Sequence, residues 1–261
     1  MTNQNNDLRA SVAASLSAAE MDIYEYLPYI LQDLWEMGIS PQVVVELIER
    51  HRLLDSCSKA ADLGCGKGAA AIGIARQLGC KVIGIDGMPE FIQTAKAKSL
   101  EYGVSELCSF SCGDVRERIG GLKDFDLAVW GSVGSIFGSA EKTLNALAGC
   151  LKPQGFLIYD DGYIPEDRNI ISPLYLKRSE LVQTMASAGF KILEEHNFSA
   201  EHLKNAENGM QSLIIRRCQE LIEQYPDKAD LFRQYISAQA EEWREMQDEI
   251  VCVTFLLQRV Q

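Results

Sequence analysis

Several things are scarce in this chain. Its 261 residues hold three histidines, three tryptophans and seven prolines. His51, His196 and His202 do not fall at zinc-ligand spacing with cysteines, and none of the eight cysteines forms a CxxC pair. That speaks against the common zinc modules and thioredoxin-type motifs. No metal is expected, and the cysteines read as reduced, small apolar residues. No run approaches the roughly 18 apolar residues of a transmembrane helix. The opening, MTNQNNDLRASVAASLSAAEMD, lacks a basic-then-apolar leader pattern. A cytoplasmic protein with no membrane contact is the expectation.

Positive charge is also short. Lys plus Arg is 25 against 37 Asp plus Glu, a net charge of −12. The net is −6 over residues 1–58, −2 over 59–199 and −5 over 200–249. Binding a nucleic-acid backbone needs clustered Lys and Arg to release counterions, and only isolated pairs such as Lys177-Arg178 occur. A nucleic-acid partner is therefore not expected. What is present is ordinary globular material, 47% hydrophobic and 24% charged, which excludes a wholly disordered chain.

The first 58 residues read as a helical cover. Ile23, Leu27, Ile30, Leu31 and Leu34 recur at helical spacing within residues 18–36, with Pro28 set to kink or divide the stretch. Gly38 is a stop signal, and Ser40-Pro41 begins a second helix through VVVELIERH. From residue 59 the rhythm changes. KAADLG, KVIGID, CSFSCGD, FDLAVWG and GFLIYDD read as strands separated by helical patterns, and FKILEEHNFS is a sixth strand. This alternation predicts an α/β fold with a doubly wound, parallel sheet. Residues 201–247 break it with polar helices divided by Pro226, before a last strand, EIVCVTFLLQRV. The expected organisation is a cover over 1–58 and one domain over 59–261 that carries a helical insertion at 201–247.

The strongest chemical signal is Asp62-Leu63-Gly64-Cys65-Gly66-Lys67-Gly68, where the first strand meets its helix. Glycines at alternate positions leave backbone bare for a ligand at the carboxyl edge of the sheet, although tight packing alone can also call for them. Asp86 ends the next strand, 22 residues after Gly64. An acid there can accept from both ribose hydroxyls, or merely cap a helix. Asp114-Val115 follows the third strand, where a carboxylate could take an adenine amino group or serve as another cap. Together the three predict a trench for an adenosine. The spacing G-x-G-x-G is not the dinucleotide G-x-G-x-x-G, and no P-loop is present. Asp62 would repel a pyrophosphate but suits a ligand carrying an amino group and a sulfonium.

These motifs resemble those of the class I S-adenosylmethionine-dependent methyltransferases over residues 59–199 and the last strand. DLGCGKG is similar to their first motif, VIGIDGMPEFIQTA to their second-strand acid and helix, and CGDV to their adenine segment. FDLAVWGSVGSIFG and LKPQGFLIYDD resemble their fourth and fifth strands. The resemblance implies a Rossmann-like, seven-stranded, mostly parallel sheet with an antiparallel last strand. It implies S-adenosyl-L-methionine as cofactor, bound by Asp62, Gly64, Cys65, Gly66, Gly68, Asp86, Gly87, Met88, Asp114, Val115 and Trp130. An Asn-Pro-Pro-aromatic motif is missing after strand four, where Trp130-Gly131-Ser132-Val133 stands. That speaks against methylation of nucleobase or glutamine amino groups.

The acceptor is less legible. Catalytic candidates after strands four and five are Trp130, Asp160, Asp161 and Tyr163, with Ser132 and Ser135 beside them. Asp160 and Asp161 point to opposite faces if the strand persists, so at most one meets the pocket; both could equally be solvated loop acids. Tyr24, Tyr26 and Tyr29 could close over the acceptor, or be core or surface aromatics. The acidic flanks favour a neutral or cationic small-molecule methyl acceptor, with N or O as target. Arsenic methylation would need converging thiols, and neither the fourth- nor the fifth-strand loop has one. A non-catalytic S-adenosylmethionine-binding or regulatory protein is the competing class. The helical insertion could wall the pocket or join two chains as a homodimer.

Overall fold

The strand and helix rhythm from residue 59 builds one seven-stranded sheet in the computed structural model, which describes residues 3–18 and 20–260. Ahead of the sheet lie α1 (Asn3–Ser15), a 3-10 turn (Met21–Tyr26), α2 (Leu27–Ile30) and α3 (Pro41–His51). Then follow β1 (Lys59–Leu63), α4 (Ala69–Leu78), β2 (Lys81–Asp86), α5 (Pro89–Glu101), β3 (Cys108–Cys112), α6 (Val115–Arg118), β4 (Phe125–Gly131) and α7 (Ala140–Cys150). The chain continues through β5 (Leu151–Tyr163), α8 (Arg178–Ser187), β6 (Phe190–Asn197), α9 (Ala200–Gln224), α10 (Ala229–Asp248) and β7 (Val251–Arg259).

The strand order is β3-β2-β1-β4-β5-β7-β6, with β7 antiparallel to both neighbours and the other pairings parallel. β1 buries every residue after Lys59, as a central parallel strand covered on both faces must. The order reverses between β1 and β4, so their carboxyl ends part and leave a crevice where open α/β sheets bind ligands. One face packs on α3, α4 and α5 through Val44, Ile48, Ile72 and Ile92, and the other on α7 and α8 through Leu144, Leu147 and Leu181.

The stretch 18–36 differs from the helix its periodicity predicts. It is a 3-10 turn and then the single turn of α2. Pro28 has no N–H to give and its ring would strike the carbonyl one turn back, so a helix can restart there but not run through. The apolar positions are still used: Ile23, Leu27, Ile30, Leu31 and Leu34 are buried. They share a third core cluster with Met88 and Phe91 of the sheet domain and with Ile214, Cys218 and Phe232 of α9 and α10. The cover and the insertion thus close over the carboxyl edge of the sheet together. No helix among the described residues is long and apolar enough to cross a membrane.

Candidate active site

Between β1 and α4 the chain has to turn over the sheet edge within five residues. Gly64, Gly66 and Gly68 do so at φ of +79°, +51° and +79°, the left-handed region that side chains resist. Space requires two of them as well. A Cβ on Gly64 would stand 2.4 Å from Val133, and one on Gly68 2.8 Å from Phe110. Asp62 is buried beneath the loop and accepts a hydrogen bond from the Ala71 N–H at 3.1 Å. Burial, helped by the charge of Asp86, raises its carboxyl to about 7 against the pull of that bond. Burial likewise holds the Cys65 thiol well above its ordinary range, with Asp62 and Asp86 adding to the effect.

Asp86 accepts from the Gly66 N–H with one oxygen and from the Met88 N–H with the other, both at 2.8 Å. It ties the glycine loop to the turn into α5, and burial raises its carboxyl despite those bonds. α1 lies over this turn: a Cβ on Gly87 would stand 2.6 Å from Val12. Met88 is fully buried and Val115 nearly so. Asp114 caps α6 by accepting from the Arg116 N–H at 2.8 Å, and the Arg116 guanidinium grips both its oxygens at 2.7 to 3.0 Å. Burial pushes the Asp114 carboxyl up, but Arg116 outweighs it and the net shift is downward. The helix-cap role of Asp114 is therefore realised, and an adenine amino group would have to share it with Arg116.

A small cleft, open to solvent, lies between the glycine loop and the cover. Asp62, Gly64, Cys65, Lys67 and Gly131 line it from the sheet, and Trp35, Met37 and Ile39 from the cover.

Residues 60–155 match the model of a family described as "Methyltransferase domain". Over 99 residues the chain is 31% identical to the "Probable cobalt-precorrin-6B C(15)-methyltransferase (decarboxylating)" of Methanothermobacter thermautotrophicus, covering 38% of this chain and 50% of that protein. The chain thus spans about half the length of this curated relative. A SAM-dependent methyltransferase from Geobacter sulfurreducens, solved with S-adenosyl-L-homocysteine, has a TM-score of 0.74 at 20% identity, covering 89% of this chain and 97% of that one. A SAM-dependent methyltransferase from Thiobacillus denitrificans, also solved with S-adenosyl-L-homocysteine, has a TM-score of 0.72 at 19% identity, covering 88% and 96%. Residues 60–155 are thus similar to a methyltransferase domain, on a fold shared with structures of S-adenosylmethionine-dependent methyltransferases.

Farther along the sheet edge, β5 persists to Tyr163 and its side chains alternate. Asp160 falls on the face of Ile158, the face that also carries Val129 and Ala60. It accepts from Ser132 Oγ at 2.7 Å and from Thr254 Oγ1. Ser132 follows β4 at a left-handed φ of +55°. Burial raises the Asp160 carboxyl to about 6, against both hydroxyls. Asp161 takes the other face, accepting from the Tyr159 hydroxyl at 2.7 Å and the Gly162 N–H at 2.8 Å. Neither is a solvated loop acid.

Two candidates lie in the core. The Trp130 ring is buried in the core with Leu144 and Leu147, 5.7 Å from Phe137, because its register on β4 turns it away from the cleft that Gly131 lines. The Tyr163 ring shares that core and lies 6.5 Å from Phe255. Of the three cover tyrosines, Tyr24 is buried beneath Arg9 and feels the charge of Asp86. Tyr26 packs edge-on to Phe232, and Tyr29 is exposed and donates to Glu220 at 2.6 Å.

Lys67 is the residue sequence reasoning missed. It is buried, and its Nζ donates to the Leu31 and Leu34 carbonyls at 2.5 Å each. Burial lowers its ammonium to about 8. Trp35 Nε1 donates back to the Lys67 carbonyl at 3.2 Å. The glycine loop and the cover are thus latched to one another. Ile39 and Gly38 complete the clasp, since a Cβ on Gly131 would stand 2.4 Å from Ile39 and one on Gly38 2.8 Å from Ser132.

Proposed function

We propose that the chain transfers a methyl group from S-adenosylmethionine to nitrogen or oxygen of a small-molecule acceptor. The observation that carries this reading is the left-handed glycine loop set between two carboxylates, the buried Asp62 and the half-buried Asp86, at the switch point of the sheet. Asp62 enters no ion pair among the described residues, since the Lys67 ammonium of the same cleft is turned to the Leu31 and Leu34 carbonyls, and it suits the amino group of the cofactor. Asp86 keeps lone pairs for ribose hydroxyls beyond the two N–H groups it already accepts. Val115, with Asp114 shared by Arg116, borders the adenine end.

S-adenosylmethionine, when bound, supplies a methyl group on a positively charged sulfur that leaves as a neutral thioether. The work left to the chain is alignment and exclusion of water, which can be worth effective molarities on the order of 10⁵ M. The clasp of Gly38 and Ile39 on Gly131 and Ser132 covers the edge beside Asp160. Asp160, with a carboxyl near 6, is placed to take a proton from an acceptor that arrives protonated. The curated relative is named for carbon methylation, but the chain matches half of it, so the acceptor reading rests on this chain's own residues.

Calorimetry tests the cofactor, with S-adenosylhomocysteine expected to bind and NAD not. Asp86→Ala should weaken that binding about tenfold or more, as loss of a charged acceptor for two hydroxyls requires. An unchanged affinity would reduce Asp86 to a helix cap. Labelled cofactor with a pooled metabolite extract then separates an enzyme, which yields labelled product, from a protein that only binds S-adenosylmethionine.

A further inference from the structure

Beneath the α9 and α10 hairpin the chain buries negative charge without positive charge. Asp160 accepts from Ser132 and Thr254, Asp161 from Tyr159, and Glu242 from Ser17. Burial raises all three carboxyls. None of the ion pairs among the described residues involves Asp160, Asp161, Glu242 or Glu245. Two side chains link the sheet edge to α10. Cys252, two residues before the Thr254 that bonds Asp160, reaches the Met246 carbonyl of α10 with its Sγ at 3.8 Å, one turn on from Glu242, and burial raises its thiol with Asp160, Asp161 and Glu242 adding to the effect. The Tyr175 hydroxyl is raised by burial and then by Asp161, Glu242 and Glu245.

A second and independent observation comes from α9. Gln211 is only 8% exposed, and neither atom of its amide has a hydrogen-bond partner. α9 and α10 run antiparallel, their register marked by Gln247 donating to Glu207 at 2.7 Å and by Cys218 lying close enough to Tyr235 to act on its hydroxyl. Gln211 stands one turn on from Glu207, on the inner face shared with Ile214 and Cys218. Its amide is therefore level with the Gln239–Trp243 stretch of α10, where Glu242 resides and Gln239 Nε2 reaches toward it at 3.5 Å. A buried amide with both ends unsatisfied is costly to fold, and packing alone would favour leucine there.

We propose that this cluster is the acceptor subsite and that it takes a small molecule bearing a protonated amine. The ammonium would donate to the Glu242 and Asp160 carboxylates, and the Gln211 amide would meet a polar group of the same molecule. A carboxylate or phosphate would face the Asp160 and Glu242 carboxyls without a cation between them, and a plain alcohol would leave their charge unpaired. The assignment rests on the methyl-transfer reading for its purpose, while the charge recognition stands on these residues alone.

The test is calorimetry on the full chain saturated with S-adenosylhomocysteine, using phenethylamine, 2-phenylethanol and 3-phenylpropionate as probes of one shape and three charges. The amine should bind about tenfold more tightly than the other two, as a charged hydrogen bond predicts. Glu242→Gln should erode that preference and leave S-adenosylhomocysteine binding unchanged. Gln211→Leu should raise Tm, because it removes two unsatisfied buried atoms. Equal binding of the three probes, no amine binding in the millimolar range, or a preference that survives Glu242→Gln overturns the proposal. Failure of S-adenosylhomocysteine to bind would instead strike the methyl-transfer reading, and the amine preference would then be measured on the protein alone.

Discussion

Two stretches of the sheet's carboxyl edge hold their carboxylates by different means. At β1 and β2, Asp62 and Asp86 are held by backbone N–H groups of Ala71, Gly66 and Met88. At β5, Asp160 and Asp161 are held largely by the hydroxyls of Ser132, Thr254 and Tyr159. Backbone donors persist whatever side chains surround them, so the first arrangement follows from the turn itself. Hydroxyl donors vanish with one substitution, so the second can be rebuilt for another acceptor at little cost to the fold. Under the proposed methyl transfer, a common cofactor end and a variable acceptor end would follow from that difference in donors.

The sharpest way to break the comparison is Asp160→Asn. It should lower kcat about 100-fold if Asp160 takes the acceptor's proton, with S-adenosylhomocysteine affinity unchanged. An equal fall in both would place Asp160 at the cofactor end instead. Next, Lys67→Met removes the donor to the Leu31 and Leu34 carbonyls and should cost about 2 kcal/mol in chemical denaturation. It should also speed hydrogen exchange across residues 27–36.

The pH dependence of cofactor binding separates the ends more gently. The Asp62 carboxyl is raised to about 7, so the folded chain holds that proton more tightly than the unfolded one. The resulting stability is present in acid and is lost as pH climbs from about 4 to 7. An incoming ammonium favours the ionised carboxylate, so S-adenosylhomocysteine should bind several-fold more tightly at about pH 8 than at about pH 6, with proton release. Asp62→Asn should flatten that profile. The smallest effect is expected at the exposed pair of Arg217 with Asp33 of the cover, 2.6 Å apart. Arg217→Ala should leave the denaturation midpoint nearly unchanged.

Much of the cofactor end was legible because its chemistry is local in the chain. DLGCGKG, the acid closing KVIGID and the Asp114-Val115 step each occupy a few consecutive residues at a strand end. The order of β1 to β5 and the closing β7 were legible for the same reason, as period-two and apolar runs set off by glycine. The acceptor end depends on contacts far apart in sequence, such as Thr254 with Asp160 and Ser17 with Glu242. Nothing in the pattern around Lys67 or Gln211 signals their burial. Trp130 misled because adjacent positions on a strand face opposite ways, so Gly131 beside it lines the cleft. The segment 18–36 misled because its apolar spacing survives in a 3-10 turn and one helical turn that bury the same side chains.

The contact of Ile39 with Gly131 leaves 2.4 Å where a Cβ would need to sit, and Val133 leaves the same over Gly64. Each pair therefore shares one fixed allotment of volume across two distant stretches of chain. A side chain gained at 131 has to be matched by one lost at 39, and likewise for 64 and 133. In a set of natural relatives, residue size in these paired columns should rise and fall in opposition.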